Sequence, residues 1–154
     1  MRAAHKTSVT LVALALLLIL LASPRHGHGQ SDSSQDVGKY IVHYSAISTN
    51  QLLPAMARRY GINRDANHGL LNIAIEEKGG ESHMVRVDVS ARVGDLLGHD
   101  QVIRMRETSE DGEIDYLGVF ELNGSGTYHF SVRLTLPGET QPHVIKFNTD
   151  YVVD

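Results

Sequence analysis

The chain has 154 residues, with 14 lysines and arginines against 18 aspartates and glutamates for a net charge of −4, and it contains no cysteine. This acidic balance argues against nucleic acid or an anionic membrane surface as the main partner, since counterion release needs a basic footprint. Without cysteine there is neither a disulfide nor a lipid-bearing thiol, so any exported domain has to be held together by a hydrophobic core.

The N-terminus has the layout of a secretory signal peptide. Arg2 and Lys6 precede an apolar run from Val9 to Ala22, and a polar stretch follows. The run is about 14 residues, short for a bilayer span, so removal is favoured over the competing reading of an uncleaved anchor helix. Gly27-His28-Gly29 offers small residues at both positions a peptidase needs, which predicts residues 1–29 as the signal peptide. Processing removes Arg2, Lys6 and Arg25 and leaves 11 basic against 18 acidic residues, a net of −7. The expected product is a periplasmic or secreted protein with no permanent membrane anchor.

Residues 30–36 are all serine, aspartate or glutamine, predicted as a disordered lead-in. A single β-sandwich domain is expected over residues 37–154, with no repeat or linker in between. A first strand is predicted at Tyr40 to Ile47. A helix follows over Gln51 to Tyr60, with Leu53, Met56, Ala57 and Tyr60 at helical spacing, Pro54 in its first turn, Arg58 and Arg59 at its end and Gly61 to close it. It is expected to lie across an open end or edge of the sandwich.

Further strands are predicted at Leu70 to Glu76, Met84 to Val93, Val102 to Glu107, Ile114 to Leu122, Tyr128 to Leu136 and His143 to Val152. The two clearest alternate strictly: Val85, Val87, Val89, Ala91 and Val93 on one, and Tyr128, Phe130, Val132, Leu134 and Leu136 on the other. Asp111-Gly112, Asn123-Gly124-Ser125-Gly126 and Pro137-Gly138 supply turn chemistry. Seven such strands and one short helix predict an all-β, immunoglobulin-like antiparallel sandwich. Tyr128, just after Gly124-Ser125-Gly126, resembles the tyrosine corner that opens the penultimate strand of such sandwiches.

Chemistry-bearing motifs are sparse. His43, His68, His83, His99, His129 and His143 show no zinc-ligand spacing, and His26 and His28 fall in the segment expected to be cleaved, so neither metal nor cofactor is predicted. No Gly-x-Ser-x-Gly elbow and no phosphate-binding glycine loop is present. Two surfaces stand out. The long polar connection Tyr60 to Gly69 makes Arg64 and His68 candidate ligand-binding residues, with Tyr60 and Asn72 beside them, because binding residues concentrate on loops held by a rigid scaffold. Arg86, Arg92, Arg104 and Arg106 would form one cationic strip if two neighbouring strands fold back antiparallel, an anchor for an anionic ligand or else a solvated face.

Tyr40-x-Val42-His43-Tyr44, Pro54 with Tyr60-Gly61-Ile62-x-Arg64, Gly69-Leu70-Leu71-Asn72-Ile73, Asp95-Leu96-Leu97-Gly98 and Phe147 together resemble the exported bacterial proteins of domain-of-unknown-function family 4426. The resemblance covers nearly all of Val37 to Asp154. It implies a signal-bearing, single-domain protein of Gram-negative bacteria and brings no activity, cofactor or partner with it. The expectation is an exported, non-enzymatic binding or accessory module for an unknown protein or small molecule. The alternative is a small hydrolase or metal-dependent enzyme assembled from scattered residues such as His43, Asp88 and His129.

Overall fold

A computed structural model of the protein describes residues 33–79 and 83–153. The predicted signal peptide and its cleavage point lie outside the described residues. Ten strands form within them: β1 Ser33–Val37, β2 Tyr40–Ser48, β3 His68–Glu77, β4 His83–Met84, β5 Asp88–Asp95, β6 Asp100–Ile103, β7 Arg106–Glu110, β8 Glu113–Glu121, β9 Gly126–Thr135 and β10 His143–Tyr151. The first sheet runs β1-β2-β3-β8-β7, with β4 added beside β3, and the second runs β10-β9-β5-β6. Neighbouring strands are antiparallel throughout, which makes the fold an all-β sandwich as expected.

Two of the three strands beyond the expected seven arise because the chain changes sheets where sequence suggested continuous strands. The run Met84 to Val93 divides into β4 in the first sheet and β5 in the second, and the run Val102 to Glu107 divides into β6 in the second sheet and β7 in the first. Each crossing has its own fastening. The Val87 amide donates to the Tyr116 hydroxyl at 2.8 Å on the way out. On the way back, Ile103 and Met105 lie against Gly118, where any side chain would collide with them. The Gln101 amide clasps the backbone N–H and C=O of Glu121 at 2.9 Å each, linking β6 to β8 across the two sheets.

β1 corrects a second expectation. Residues 33–36 were predicted to be disordered, yet Ser34, Gln35 and Asp36 pair with His43, Val42 and Ile41. Their side chains remain exposed. An edge strand needs backbone partners rather than apolar side chains, so a polar composition does not forbid one.

The alternation set the inward phase correctly. Ala91, Val93, Phe130, Val132 and Leu134 are buried against Val42, Leu71, Ile73 and Ile75 of the other sheet, while Val85, Val87 and Val89 pack partly buried at the margin. Aromatic rings bind the sheets together: Tyr44 stacks on Phe147 at 4.4 Å, Phe147 on Phe130 at 4.8 Å, and Phe120 meets Phe130 edge-on at 5.2 Å. Tyr128 makes the expected corner. Its hydroxyl donates to the Gly124 carbonyl at 3.0 Å and accepts the Asn123 amide at 2.8 Å.

Helix α1, Pro54–Tyr60, is shorter than predicted. Leu53 precedes a proline and is therefore extended, at φ −60° and ψ 138°, with its side chain 70% exposed. Gly61 closes the helix at φ 63°, in the left-handed conformation that glycine adopts without strain. The helix sits on a face of the sandwich rather than over an end or an edge. Ile62, Leu52 and Tyr60 pack on Ile47, Leu70 and Leu117, which point outward from the first sheet. β3 and the middle of β8 are thus apolar on both faces, one against the core and one beneath the helical segment.

Candidate functional site

The loop between α1 and β3 is held from within. Thr49 is fully buried; its hydroxyl donates to the Asp65 carbonyl at 3.0 Å and accepts the Asp65 amide at 3.1 Å. The Asp65 carboxylate accepts the Asn67 amide at 2.8 Å and meets His68 Nδ1 at 2.7 Å. The hydrogen bond to His68 holds the Asp65 carboxyl below its ordinary range. Arg64 donates through Nη2 to the Asn50 carbonyl at 2.7 Å. Both candidate side chains of this loop, Arg64 and His68, are therefore engaged in fastening it.

Tyr60 and Asn72 lie elsewhere. Tyr60 is half-buried in the outer-face cluster, and its carbonyl accepts from Arg106 Nη2. Asn72 lies on the outer face of β3 between Ser45 and Leu117, and Leu117 in turn pairs with Arg106, giving one row across four strands. With His43, Ser45 and Ala74 it borders a depression of about 230 Å³, where its Oδ1 is buried and has no hydrogen-bond partner among the described residues. The four candidates do not converge on one place.

The predicted cationic strip is divided by the two sheet crossings. Arg86 pairs with Glu107 at 2.8 Å. Arg92 is exposed on the outer face of the second sheet, out of phase with buried Ala91 and Val93. Only Arg104 and Arg106 remain together, on the outer face of the first sheet.

Those two arginines flank a depression of about 240 Å³ bordered by Gly61, Ile62, Leu70, Leu117 and Val119. Leu70 and Val119 are a registered pair, and Leu117 lies two residues back along β8 on the same face. They form an apolar floor on which Val119 is left 43% exposed. Ile62 makes a wall, positioned by the Gly61 cap and by its own amide donating to the Ala57 carbonyl at 2.8 Å. Arg106 is fixed by the Tyr60 carbonyl at the helix C-terminus, a favourable place for a cation. A second tie to β7, Arg59 to Glu110 at 3.2 Å, holds the same helix. Arg104 is exposed at the crossing and forms no ion pair among the described residues. A shallower depression of about 380 Å³ shares Gly61 and Ile62 and is bordered by Arg58 and Arg64.

Sequence reading did not find this floor, although a signal was present. The stretches Leu70 to Ile75 and Leu117 to Phe120 are too continuously apolar for strands with one wet face. The residues of the alternative enzyme reading remain apart. His43 is on the outer face of the first sheet, paired with Glu76 at 2.9 Å. On the second sheet, Asp88 and His129 lie near opposite ends of β5, because His129 pairs with Gly94. Six residues of strand put them about 20 Å apart. Among the described residues, no three histidines, aspartates or glutamates gather as metal ligands would.

Comparison with known proteins places the chain. No curated protein matches its sequence. The fold is similar to a crystal structure of a DUF4426 family protein from Pseudomonas aeruginosa PAO1, at 28% identity over 81% of this chain and 98% of that one, with a TM-score of 0.69. It is also similar to FetP of uropathogenic Escherichia coli strain F11, recombinantly expressed in the periplasm, at 12% identity and a TM-score of 0.58, over 78% of this chain and 93% of that one. A copper-bound FetP variant gives 12% identity and a TM-score of 0.57, over 80% and 96%. At that identity the likeness to FetP is one of fold. A family model described as a domain of unknown function, DUF4426, matches residues 34–154, and the chain belongs to that family.

Proposed function

We infer that this protein is an exported, non-enzymatic binding or accessory module of the bacterial periplasm, taking its ligand in the depression between the α1 terminus and the outer face of the first sheet. The composition of that depression carries the reading. Its lining is hydrocarbon and guanidinium, with neither a nucleophile nor a general base, a combination that holds a ligand without transforming it. The basic, then apolar, then polar order of residues 1–29 supports export, as does the fold shared with a protein expressed in the periplasm. No helix among the described residues is long and apolar enough to cross a membrane.

The test combines fractionation with binding. The native protein recovered from periplasm should begin near Gln30, and backbone amide spectra of that form, titrated with a library of small soluble fragments, should shift at residues 61–62, 70, 104–106 and 117–119. An intact Met1 in the membrane fraction would remove the export reading. Shifts scattered over both sheets would remove the site.

A further inference from the structure

The chemistry of the depression goes further than its location. We propose that its ligand is a small amphipathic anion, an aliphatic body of about eight heavy atoms or fewer carrying a single carboxylate-like head, with Arg104 as the group that binds the charge. The proposal rests on the site named above and adds the class of ligand to it.

Three observations carry it. The floor of Leu70, Leu117 and Val119 with the wall of Ile62 has no polar side chain among its members, so the part of a ligand lying there has to be hydrocarbon. Val119 remains 43% exposed beside Leu70 and Leu117, which the helical segment covers. The charges at the rim are both positive, on a chain whose formal net charge is −4. An attractive field here favours an anion against the sign of the whole molecule.

The two arginines have different duties. Arg106 spends one donor on the Tyr60 carbonyl and so holds the helix end that forms the wall. Arg104 has no ion pair among the described residues, and its guanidinium can offer the two parallel N–H donors that a carboxylate accepts. Volume limits the body: about 240 Å³ accommodates roughly eight groups the size of a water molecule, which have about 30 Å³ each in the liquid. Two sources share this chemistry, a free aliphatic acid and the carboxyl terminus of a peptide ending in an aliphatic residue.

Amide-detected titrations of the processed protein with butyrate, hexanoate, octanoate and decanoate test the class. Affinity should rise about fourfold per methylene and level off near octanoate, where further carbons reach solvent. 1-Octanol should bind at least tenfold more weakly than octanoate. Arg104→Gln should remove that preference while leaving the melting temperature unchanged, because the side chain is exposed and fastens nothing among the described residues. N-acetyl-leucine is the second arm: tighter binding than hexanoate identifies a peptide carboxyl terminus, and weaker binding identifies a free acid. Either result supports the class. Octanol binding as tightly as octanoate would overturn the anionic class while leaving the site in place. Silence of residues 104–106 and 117–119 towards every compound would overturn both the class and the site.

Discussion

Gly118→Ala probes the joint on which both the fold and the site depend. An added Cβ would stand 2.4 Å from Ile103 Cγ2, 2.6 Å from Met105 Sδ and 3.3 Å from the Arg104 carbonyl. Met105 is flexible and half-buried, but Ile103 is buried in the core and cannot swing aside, so the crossing itself has to move outward. Overpacking of this kind costs about 1 to 3 kcal/mol. Alanine recovers about 0.5 to 1 kcal/mol of the backbone entropy that glycine loses in a strand, which leaves a net destabilisation of about 1 kcal/mol at the middle of both ranges. For a domain of this size that corresponds to a melting temperature lower by about 4 to 8 °C, measured by circular dichroism. The displacement would also carry Arg104 away from Val119, so octanoate binding should weaken along with the stability. A melting temperature equal to or above that of the unaltered protein would refute the close approach and the placement of Arg104 derived from it.

Two other predictions concern the joints of the fold. Tyr128→Phe keeps the ring in the core but strands the Asn123 amide and the Gly124 carbonyl, so unfolding in urea should show a loss of about 2 kcal/mol with an unchanged denaturant slope. Asp95 accepts the Leu97 and His99 amides at 2.9 Å each, and the backbone hydrogen bond from His99 is the main cause holding its carboxyl below the ordinary range. A depressed carboxyl contributes stability above its unfolded value and loses it as the pH falls through the folded one. Protection of the 97 and 99 amides against hydrogen exchange should therefore fall below about pH 4, and Asp95→Asn should abolish this dependence.

Much of this was readable from the residues alone. Period-two alternation identified the inward side of Val93 and Phe130 because burial selects apolar residues on one face, whichever partner supplies the other half of the core. Local rules of the same kind placed the Gly61 cap and the Tyr128 corner, since both are satisfied within a few residues of chain. Alternation carries no information about which sheet a strand joins. The crossings at 85–87 and 104–105 therefore passed unnoticed inside runs that look continuous, and with them the division of Arg86, Arg92, Arg104 and Arg106. Backbone pairing is similarly silent in composition, so Ser34, Gln35 and Asp36 gave no sign of the strand they form. The candidate site depended on tertiary structure most of all. Ile62, Leu70, Arg104 and Val119 are far apart in sequence and meet only because an apolar outer face drew the helix terminus onto it, and because Gly118 lets the returning chain pass close enough to set a guanidinium beside that face.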